Sequence, residues 1–224
     1  MGRDVFPKTL KTWIDQKLHE GDEGRAEINR HVMTVYREPL RVYFLGTSDR
    51  WLGDPEEVVE DFFAKRLARA NFFGDWRQSE LRLRRWLMNG FCLHLHELKR
   101  ERRKNDRAQE LPVDALAPVA DPAHEMDRAF AAAIVREAIE RAERTCKAQG
   151  LEAHWQIFLA HDLNGEPLRD LACTFGVEPG RAKDMARTGR SKFRIALRDL
   201  VARDGATPEE IDDELRLLRE VLGT

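Results

Sequence analysis

The sequence has few cysteines and none of the short motifs that mark common enzyme families. Its three cysteines, Cys92, Cys146 and Cys173, are far apart and odd in number, so they imply neither a disulfide framework nor a zinc site. The His96-Glu97 pair lacks the second histidine of a zinc-protease helix, since Arg100 stands there. There is no Gly-rich phosphate loop, nucleophile elbow or ligand cluster in the sequence. We therefore predict no enzymatic activity, no cofactor and no bound metal.

Long apolar runs are also missing. No stretch approaches the length of a membrane span, and the start MGRDVFPKTL lacks the apolar core of a signal peptide. We therefore expect a soluble, cytoplasmic protein with no membrane partner. Charged residues make up 35% of the 224 residues, and the apolar residues recur mostly at helical spacing. This pattern predicts an all-α fold, in a chain long enough for one large core or two small ones.

The net charge of -2 gives no overall attraction for nucleic acid, but the charges are unevenly distributed. Acidic residues concentrate at 54–61 and 209–220, and basic residues concentrate at 77–107 and 181–203. A phosphate backbone responds to a local basic patch rather than to the sum over the chain. The distribution is therefore compatible with nucleic-acid binding.

The stretch 155–200 is typical of a helix-turn-helix. Leu168, Leu171, Ala172 and Phe175 recur at helical spacing, and Gly176 can leave a helix with a positive φ. The helix that follows has a buried side of its own and is rich in cations, which are Arg181, Lys183, Arg187, Arg190, Lys192, Arg194 and Arg198. A basic helix held across a short turn by a packed partner predicts a recognition helix in a DNA groove. An ordinary amphipathic helical hairpin with a solvated basic face is the alternative.

The first third of the chain predicts several helices. We expect one from about Arg25 to Leu45 and another that Asp54 caps, with Pro55 in its first turn, continuing to Phe73. An acidic ridge lies on the second of these helices, and its residues are Glu56, Glu57, Glu60 and Asp61. A solvated helix face explains such a ridge equally well. Gly74-Asp75 is predicted to end this helix.

The segment 76–107 combines aromatic and basic side chains. Ser79 is predicted to cap a helix, and Trp76 and Trp86 lie among cations that include Arg77, Arg82, Arg84, Arg85 and Lys99. Single-stranded nucleic acid needs this combination, because its phosphates pair with cations and its bases stack on rings. We therefore interpret the segment as a candidate single-strand contact.

The periodicity stops between 105 and 127, where Pro112, Pro118 and Pro122 indicate an extended linker. Helix is predicted to resume near Met126, and Thr207-Pro208 is predicted to open a final acidic helix. The predicted architecture is thus two small helical domains joined by a Pro-containing linker. Its parts are an N-terminal helical extension (1–24), a first domain (25–104), the linker (105–127), a helix-turn-helix domain (128–203) and a C-terminal acidic helix (204–224).

Three segments in this order resemble the bacterial extracytoplasmic-function sigma factors of the sigma-70 family. DPEEVVEDFF at 54–63 is similar to an acidic helix of that family, and LRRWL at 83–87 is similar to its promoter-melting segment. The stretch 155–197 aligns without gaps to its scaffold helix, turn and recognition helix. FPKTLKTW at 6–13 and the Phe62-Phe63 pair resemble a divergent subgroup with an N-terminal extension.

The resemblance implies a protein that directs core RNA polymerase to promoters, with an anti-sigma factor as a further partner. Polymerase is expected to bind the acidic ridge at Glu56, Glu57, Glu60 and Asp61. The downstream promoter element is expected to be melted and held by Trp76, Arg77, Arg82, Arg84, Arg85, Trp86 and Lys99. The upstream element is expected to be read as duplex by Arg181, Lys183, Arg187 and Arg190.

The recognition helix departs from the family pattern at Asp184, Met185 and Gly189, where we expected more basic residues. Gly189 is also expected to weaken the helix by about 1 kcal/mol relative to alanine. A two-domain helix-turn-helix regulator that binds DNA without acting as a polymerase subunit is the alternative function.

Overall fold

The computed structural model describes residues 13–69, 71–79, 81–105, 121–203 and 210–223. The regular elements in these ranges are all helical, with no strand among them, so the predicted all-α class is confirmed. The α-helices are α1 (Trp13–His19), α2 (Asp22–Gly46), α3 (Pro55–Leu67), α4 (Phe72–Gln78), α5 (Leu83–Asn105), α6 (Pro122–Ala148), α7 (Glu152–Phe158), α8 (Leu168–Thr174), α9 (Pro179–Arg203) and α10 (Ile211–Leu222). A 3₁₀ turn spans Arg50–Leu52, and a π-helical turn spans Leu159–Leu163.

The described residues form two compact units. Unit 1 contains the described residues up to Ala133 together with those from Ala202 onward, and unit 2 is Ile134–Val201. The division therefore falls inside α6 and α9, whereas the sequence placed it in the linker at 105–127. Residues 106–120 of that linker, 1–12 of the extension and 204–209 before the last helix lie outside the described residues.

Helix α6 begins at Pro122 rather than near Met126. We interpreted Pro122 as a breaker, but the first position of a helix has no use for a backbone N–H and suits the fixed φ of proline. The last residues of the predicted linker are therefore helical. Proline breaks a helix in its interior, where it removes a backbone hydrogen bond, but not at its first position.

Helices α1 and α2 form a tight hairpin at the start of unit 1. Gly21 makes the turn with a φ of 73° and precedes α2, which begins at Asp22 rather than at Arg25. Gly24 lies inside α2, and a Cβ there would overlap the carbonyl oxygen of Lys17. Gly24 therefore permits a close approach of the two helices.

The core of unit 1 is built from apolar stripes of α2, α3, α5 and the start of α6. The stripe of α2 is almost fully buried, as its aliphatic and aromatic spacing predicted, and consists of Ile28, Val32, Val35, Tyr36, Leu40 and Phe44. Phe62 of α3 meets Phe91 of α5 edge to face, with ring centroids 5.2 Å apart. Tyr36 packs on Phe130 of α6 at 5.4 Å. Such aromatic pairs add about 0.5–1.5 kcal/mol each beyond the area that they bury.

The start of α3 was predicted correctly and its end was not. The Asp54 carboxylate accepts hydrogen bonds from the backbone N–H groups of Glu56 and Glu57, at 2.9 and 3.2 Å. The helix ends at Leu67, and Phe72 starts α4, so the predicted single helix to Phe73 is two.

None of the helices in the described ranges combines the length and hydropathy that crossing a lipid bilayer requires.

The segment around α4 corrects two further predictions. Gly74 and Asp75 lie inside this helix instead of breaking one. Ser79 follows the end of α4, and its hydroxyl donates to the carbonyl oxygen of Trp76 at 2.7 Å. It therefore closes α4 rather than capping α5, which begins at Leu83. Serine bonds nearby backbone groups at either end of a helix, so its presence alone does not distinguish a start from a stop.

Candidate nucleic-acid interface

Helices α7, α8 and α9 of unit 2 pack around one small apolar cluster. Each helix contributes to it, through Ile157, Leu171, Met185 and Ala186, all buried. Partly buried residues close its edge, and these are Ala153, Ala160, Leu168, Phe175 and Val177. The periodicity of α8 thus buries the face that the sequence indicated. Burial on this side leaves the opposite face of α9 to the solvent.

The turn between α8 and α9 is a Schellman motif. Gly176 has a φ of 63°, and its N–H donates to the carbonyl oxygen of Cys173 at 3.2 Å. The N–H of Val177 donates to the carbonyl oxygen of Ala172 at 2.9 Å. These two bonds satisfy carbonyl groups that the end of a helix otherwise leaves free. The predicted role of Gly176 is confirmed, and four residues separate α8 from α9, as a helix-turn-helix requires.

Gly189 and Met185 belong to the packed side of α9. A Cβ on Gly189 would lie 2.5 Å from the Cβ of Phe158 and 2.8 Å from the carbonyl oxygen of His154. Glycine therefore allows α9 to approach α7 closely. Met185 is 5% exposed within the apolar cluster. Two of the three departures from the expected basic pattern thus have packing roles, and they do not reduce the charge of the exposed face.

The solvent side of α9 carries the predicted cations. Arg181, Lys183 and Arg187 are exposed. Asp184, the third departure, pairs with Arg187 at 2.9 Å one turn away, and no described residue forms an ion pair with Arg181 or Lys183. Exposed pairs of this kind contribute about 0–1 kcal/mol, so a phosphate can compete for Arg187 at little cost.

Arg190 is held differently from the other cations of α9. Its guanidinium donates twice to the Asp162 carboxylate, at 2.6 and 2.9 Å, from the π-helical turn that precedes α8. Asp162 is itself only 23% exposed. This pair holds Arg190 against the π-helical turn. We therefore expect Arg190 to orient α9 rather than to contact a base. The sequence did not single out Asp162, because a helical pattern does not show the partner of an aspartate 28 residues away.

The acidic ridge lies on α3 and is partly neutralised from α2. Arg37 donates to Glu56 at 3.1 Å and to Glu60 at 2.5 Å. Asp61 pairs with Lys65 one turn on, at 2.8 Å. The remaining member, Glu57, is exposed. The ridge therefore presents a row of carboxylates to solvent. Its net charge is smaller than its four acidic residues alone would give, because Arg37 and Lys65 pair with three of them.

Trp76, which the resemblance assigns to the melted strand, lies in α4. Its side chain is 5% exposed, and its indole N–H donates to the carbonyl oxygen of Leu81 at 2.8 Å. Both faces of the ring are covered by protein, so the ring offers no surface for a base in this conformation. The neighbouring Arg77 is 42% exposed and pairs with Asp15 of α1 at 2.6 Å. Trp76 is thus a core residue of unit 1.

The start of α5 brings several predicted residues together. Arg85 is exposed, and Trp86 is half-buried against Phe72 with ring centroids 6.2 Å apart. Lys99, further along the helix, pairs with Asp49 at 2.5 Å and is 27% exposed. At the start of α5, Trp86 and Arg85 are therefore the predicted residues that are accessible and not engaged by Glu214.

Arg82 and Arg84 are both occupied by an acid from α10. Glu214 pairs with Arg82 and lies 3.2 Å from Arg84, and its side chain is only 4% exposed. Arg84 also lies 3.5 Å from Asp127 and over the Phe130 ring at 4.8 Å. Sequence reasoning missed Glu214. The available signal was an acid on the same helical face as Ile211 and Leu218, where an apolar residue is expected.

Histidine and acidic residues do not assemble a metal site in the described part of the chain. His94 is buried, and its Nε2 lies 3.3 Å from the Asp61 carboxylate. Burial lowers the pKa of His94, and this effect exceeds the opposing attraction of Asp61. His94 is thus a neutral packed histidine of α5 near neutral pH, next to Phe62.

Comparison of the chain with protein-family models, with curated proteins and with solved structures finds no match.

Proposed function

We propose that this protein is a sigma factor of the extracytoplasmic-function type, which binds core RNA polymerase and directs promoter recognition and opening. The observation that carries the proposal is the helix-turn-helix of unit 2. A buried cluster and a Schellman turn hold α9 with its exposed side free for DNA. The order of the acidic ridge, the basic aromatic segment and the helix-turn-helix in the sequence supports the choice of a polymerase subunit.

In this proposal α9 reads the upstream promoter element in the major groove. The groove admits an α-helix, and arginine can donate two hydrogen bonds to the O6 and N7 atoms of guanine. Arg187, whose side chain is 76% exposed, is our candidate for base contact. Arg181 and Lys183 hold phosphates and fix the register of the helix. Arg190 orients α9 through Asp162.

Unit 1 then carries the polymerase contact and the downstream element. The carboxylates of Glu56, Glu57, Glu60 and Asp61 meet a basic surface of polymerase. Trp76 is buried, so we assign base stacking to Trp86, which is only half-buried. One stacked base contributes about 1–3 kcal/mol, which is comparable to the few kcal/mol needed to extrude it.

One observation favours a second candidate, a helix-turn-helix regulator that binds duplex DNA without polymerase. The helix-turn-helix is complete in unit 2, whereas Trp76, Arg82 and Arg84 of the proposed melting segment are engaged within unit 1. A regulator needs only the former. A gel shift with promoter duplex, with and without core polymerase, distinguishes the two candidates: a sigma factor needs the polymerase for specific binding, and a regulator does not.

The direct test is run-off transcription with core polymerase and promoter fragments selected from the source genome. Wild-type protein is expected to produce promoter-dependent transcripts. Arg187→Ala should reduce them by roughly 5- to 150-fold, the range for loss of one specific base contact. Arg144→Ala is the matched control, because Arg144 is a 64% exposed arginine of unit 2 on α6 rather than α9. Equal transcription by the two variants would contradict the assignment of α9, and no transcription at any promoter would contradict the sigma-factor role.

A further inference from the structure

The contact between α10 and α5 lies wholly within unit 1 and joins segments far apart in the sequence. Glu214, in the first turn of α10, pairs with Arg82 and Arg84 at the start of α5. Glu210 lies 3.6 Å from Arg82 and adds a second carboxylate to the same guanidinium. The acidic C-terminal helix thus covers two of the arginines that we assign to the melted strand.

Glu214 is placed where a carboxylate needs these two arginines. It is 4% exposed, and Ile211 and Leu218 on the same face of α10 are buried. A charge taken out of water is costly unless it is paired, so Glu214 is stable in this position only beside cations. A guanidinium binds a carboxylate and a phosphate with the same fork of N–H donors. The protein's own acid therefore occupies a site that also fits a phosphodiester.

An open cleft leads to the same guanidinium groups. It has a volume of about 220 Å³ and is lined by Arg82, Arg84 and the exposed Arg85, with Leu81 and Met88 beside them. Asp127 contributes one carboxylate to the wall, at 3.5 Å from Arg84. A phosphate can reach Arg85 first and then compete with Glu214 for the other two arginines.

We propose that α10 is an autoinhibitory latch. Glu214 takes the place of a strand phosphate on Arg82 and Arg84, and single-stranded nucleic acid displaces α10 when it binds. The latch rests on the proposed function, since it regulates the site assigned there to the melted promoter strand. Displacement of α10 and binding of a strand are coupled. The apparent affinity for single strands is therefore the intrinsic affinity multiplied by the fraction of molecules in which α10 is released.

The test uses the full chain and a fluorescein-labelled 20-nucleotide single-stranded DNA of mixed sequence, followed by anisotropy. Glu214→Gln removes the charge of the latch and keeps the shape of the side chain. We expect it to tighten binding at least about fivefold, the lower end of typical coupling between two sites. Asp213→Asn is the matched control, because it removes the same charge from the same first turn at a 70% exposed position that contacts Arg216 instead. Its affinity should equal that of the wild type.

Two further measurements keep the test independent of how well Glu214→Gln folds. In the wild-type protein, saturating oligonucleotide should speed amide hydrogen exchange across α10. In the double variant Arg82→Gln/Glu214→Gln, the tightening that Glu214→Gln produces alone should become several-fold smaller. The reason is that the Arg82 guanidinium, which Glu214→Gln leaves available to a phosphate, is absent. The latch is wrong if Glu214→Gln and wild type bind equally, if neither binds, or if the oligonucleotide binds without changing exchange in α10. Absence of promoter-dependent transcripts would instead reject the sigma-factor role, because none of these measurements uses polymerase.

Discussion

Gly189 is the position where α9 comes closest to α7, and Gly189→Ala tests the geometry of the helix-turn-helix. The added methyl group would lie 2.5 Å from the Cβ of Phe158 and 2.8 Å from the carbonyl oxygen of His154. Real Cβ atoms essentially never approach other heavy atoms below 3.0 Å, so something must move. One of these neighbours is backbone and the other is attached to it directly, so no rotamer change relieves the overlap.

The sign of the effect follows from two opposing magnitudes. Alanine is favoured over glycine inside a helix by about 1 kcal/mol. Forcing an extra methyl group into a packed interior costs typically about 1–3 kcal/mol. Because α9 as a whole must shift away from α7, we take the upper part of that range. The expected net loss is about 1–2 kcal/mol in the free energy of unfolding.

Urea denaturation followed by circular dichroism measures this loss, and Gly180→Ala supplies the control. Gly180 lies in the first turn of the same helix, and a Cβ there would meet no atom within 4 Å. Its replacement should therefore leave stability unchanged or raise it by up to about 1 kcal/mol. If Gly189→Ala is as stable as the wild type, or if both variants shift equally, the close approach of α7 and α9 is not as described.

Three further predictions concern stability. Asp54→Ala should lower the free energy of unfolding in urea by about 1 kcal/mol, because two backbone N–H groups lose their acceptor, and Asp54→Asn should restore most of it. Gly176→Ala should cost about 1–2 kcal/mol in the same assay, because its φ of 63° is strained for any residue with a Cβ, and Gly176→Asn should cost less. Burial lowers the pKa of His94 below its ordinary value of 6.5, so the unfolded chain takes up a proton that the folded chain refuses, and stability falls with pH below that value. Between pH 7 and 5.5, the wild type should lose up to about 1.3 kcal/mol more than His94→Gln in the same assay, and equal losses would contradict the burial of a neutral His94.

The features that the sequence predicted well are those with local causes. Asp54 and Pro55 define a helix start through groups within three residues of each other. Gly176 needs only its own φ and two neighbouring carbonyl groups. The apolar spacing of α2 and α8 fixes which face is buried, whatever the face packs against. The all-α class and the turn between α8 and α9 follow from such signals.

The features that the sequence did not predict depend on contacts between distant elements. Gly189 is a weak helix residue by propensity, and its role becomes visible only when α7 lies against it. Ser79 could serve as a start or a stop, and the hydrogen bond to Trp76 decides in favour of a stop. Glu214 and Arg82 are 132 residues apart, and no periodicity connects them. The sequence pattern therefore indicates the basic and aromatic residues of 76–107 as a set, but it does not indicate their partners.

The ion-pair partner of a cation also determines how strongly that cation attracts a phosphate. A cation beside its carboxylate forms a nearly neutral pair. At physiological salt the remaining electrostatic field is screened within about 8 Å, so the pair attracts a distant phosphate only weakly. Arg82 and Arg84 are such cations, because Glu214 lies against both. Arg181 and Lys183 of α9 are exposed and have no ion-pair partner in the described ranges, so a phosphate could bind them without displacing a carboxylate. The two basic segments therefore differ: Arg181 and Lys183 of α9 are exposed, whereas Arg82 and Arg84 of α5 are paired with Glu214 of α10. Under the proposed function, α9 would therefore be ready to bind duplex, and Arg82 and Arg84 would become available to a single strand only after α10 is displaced.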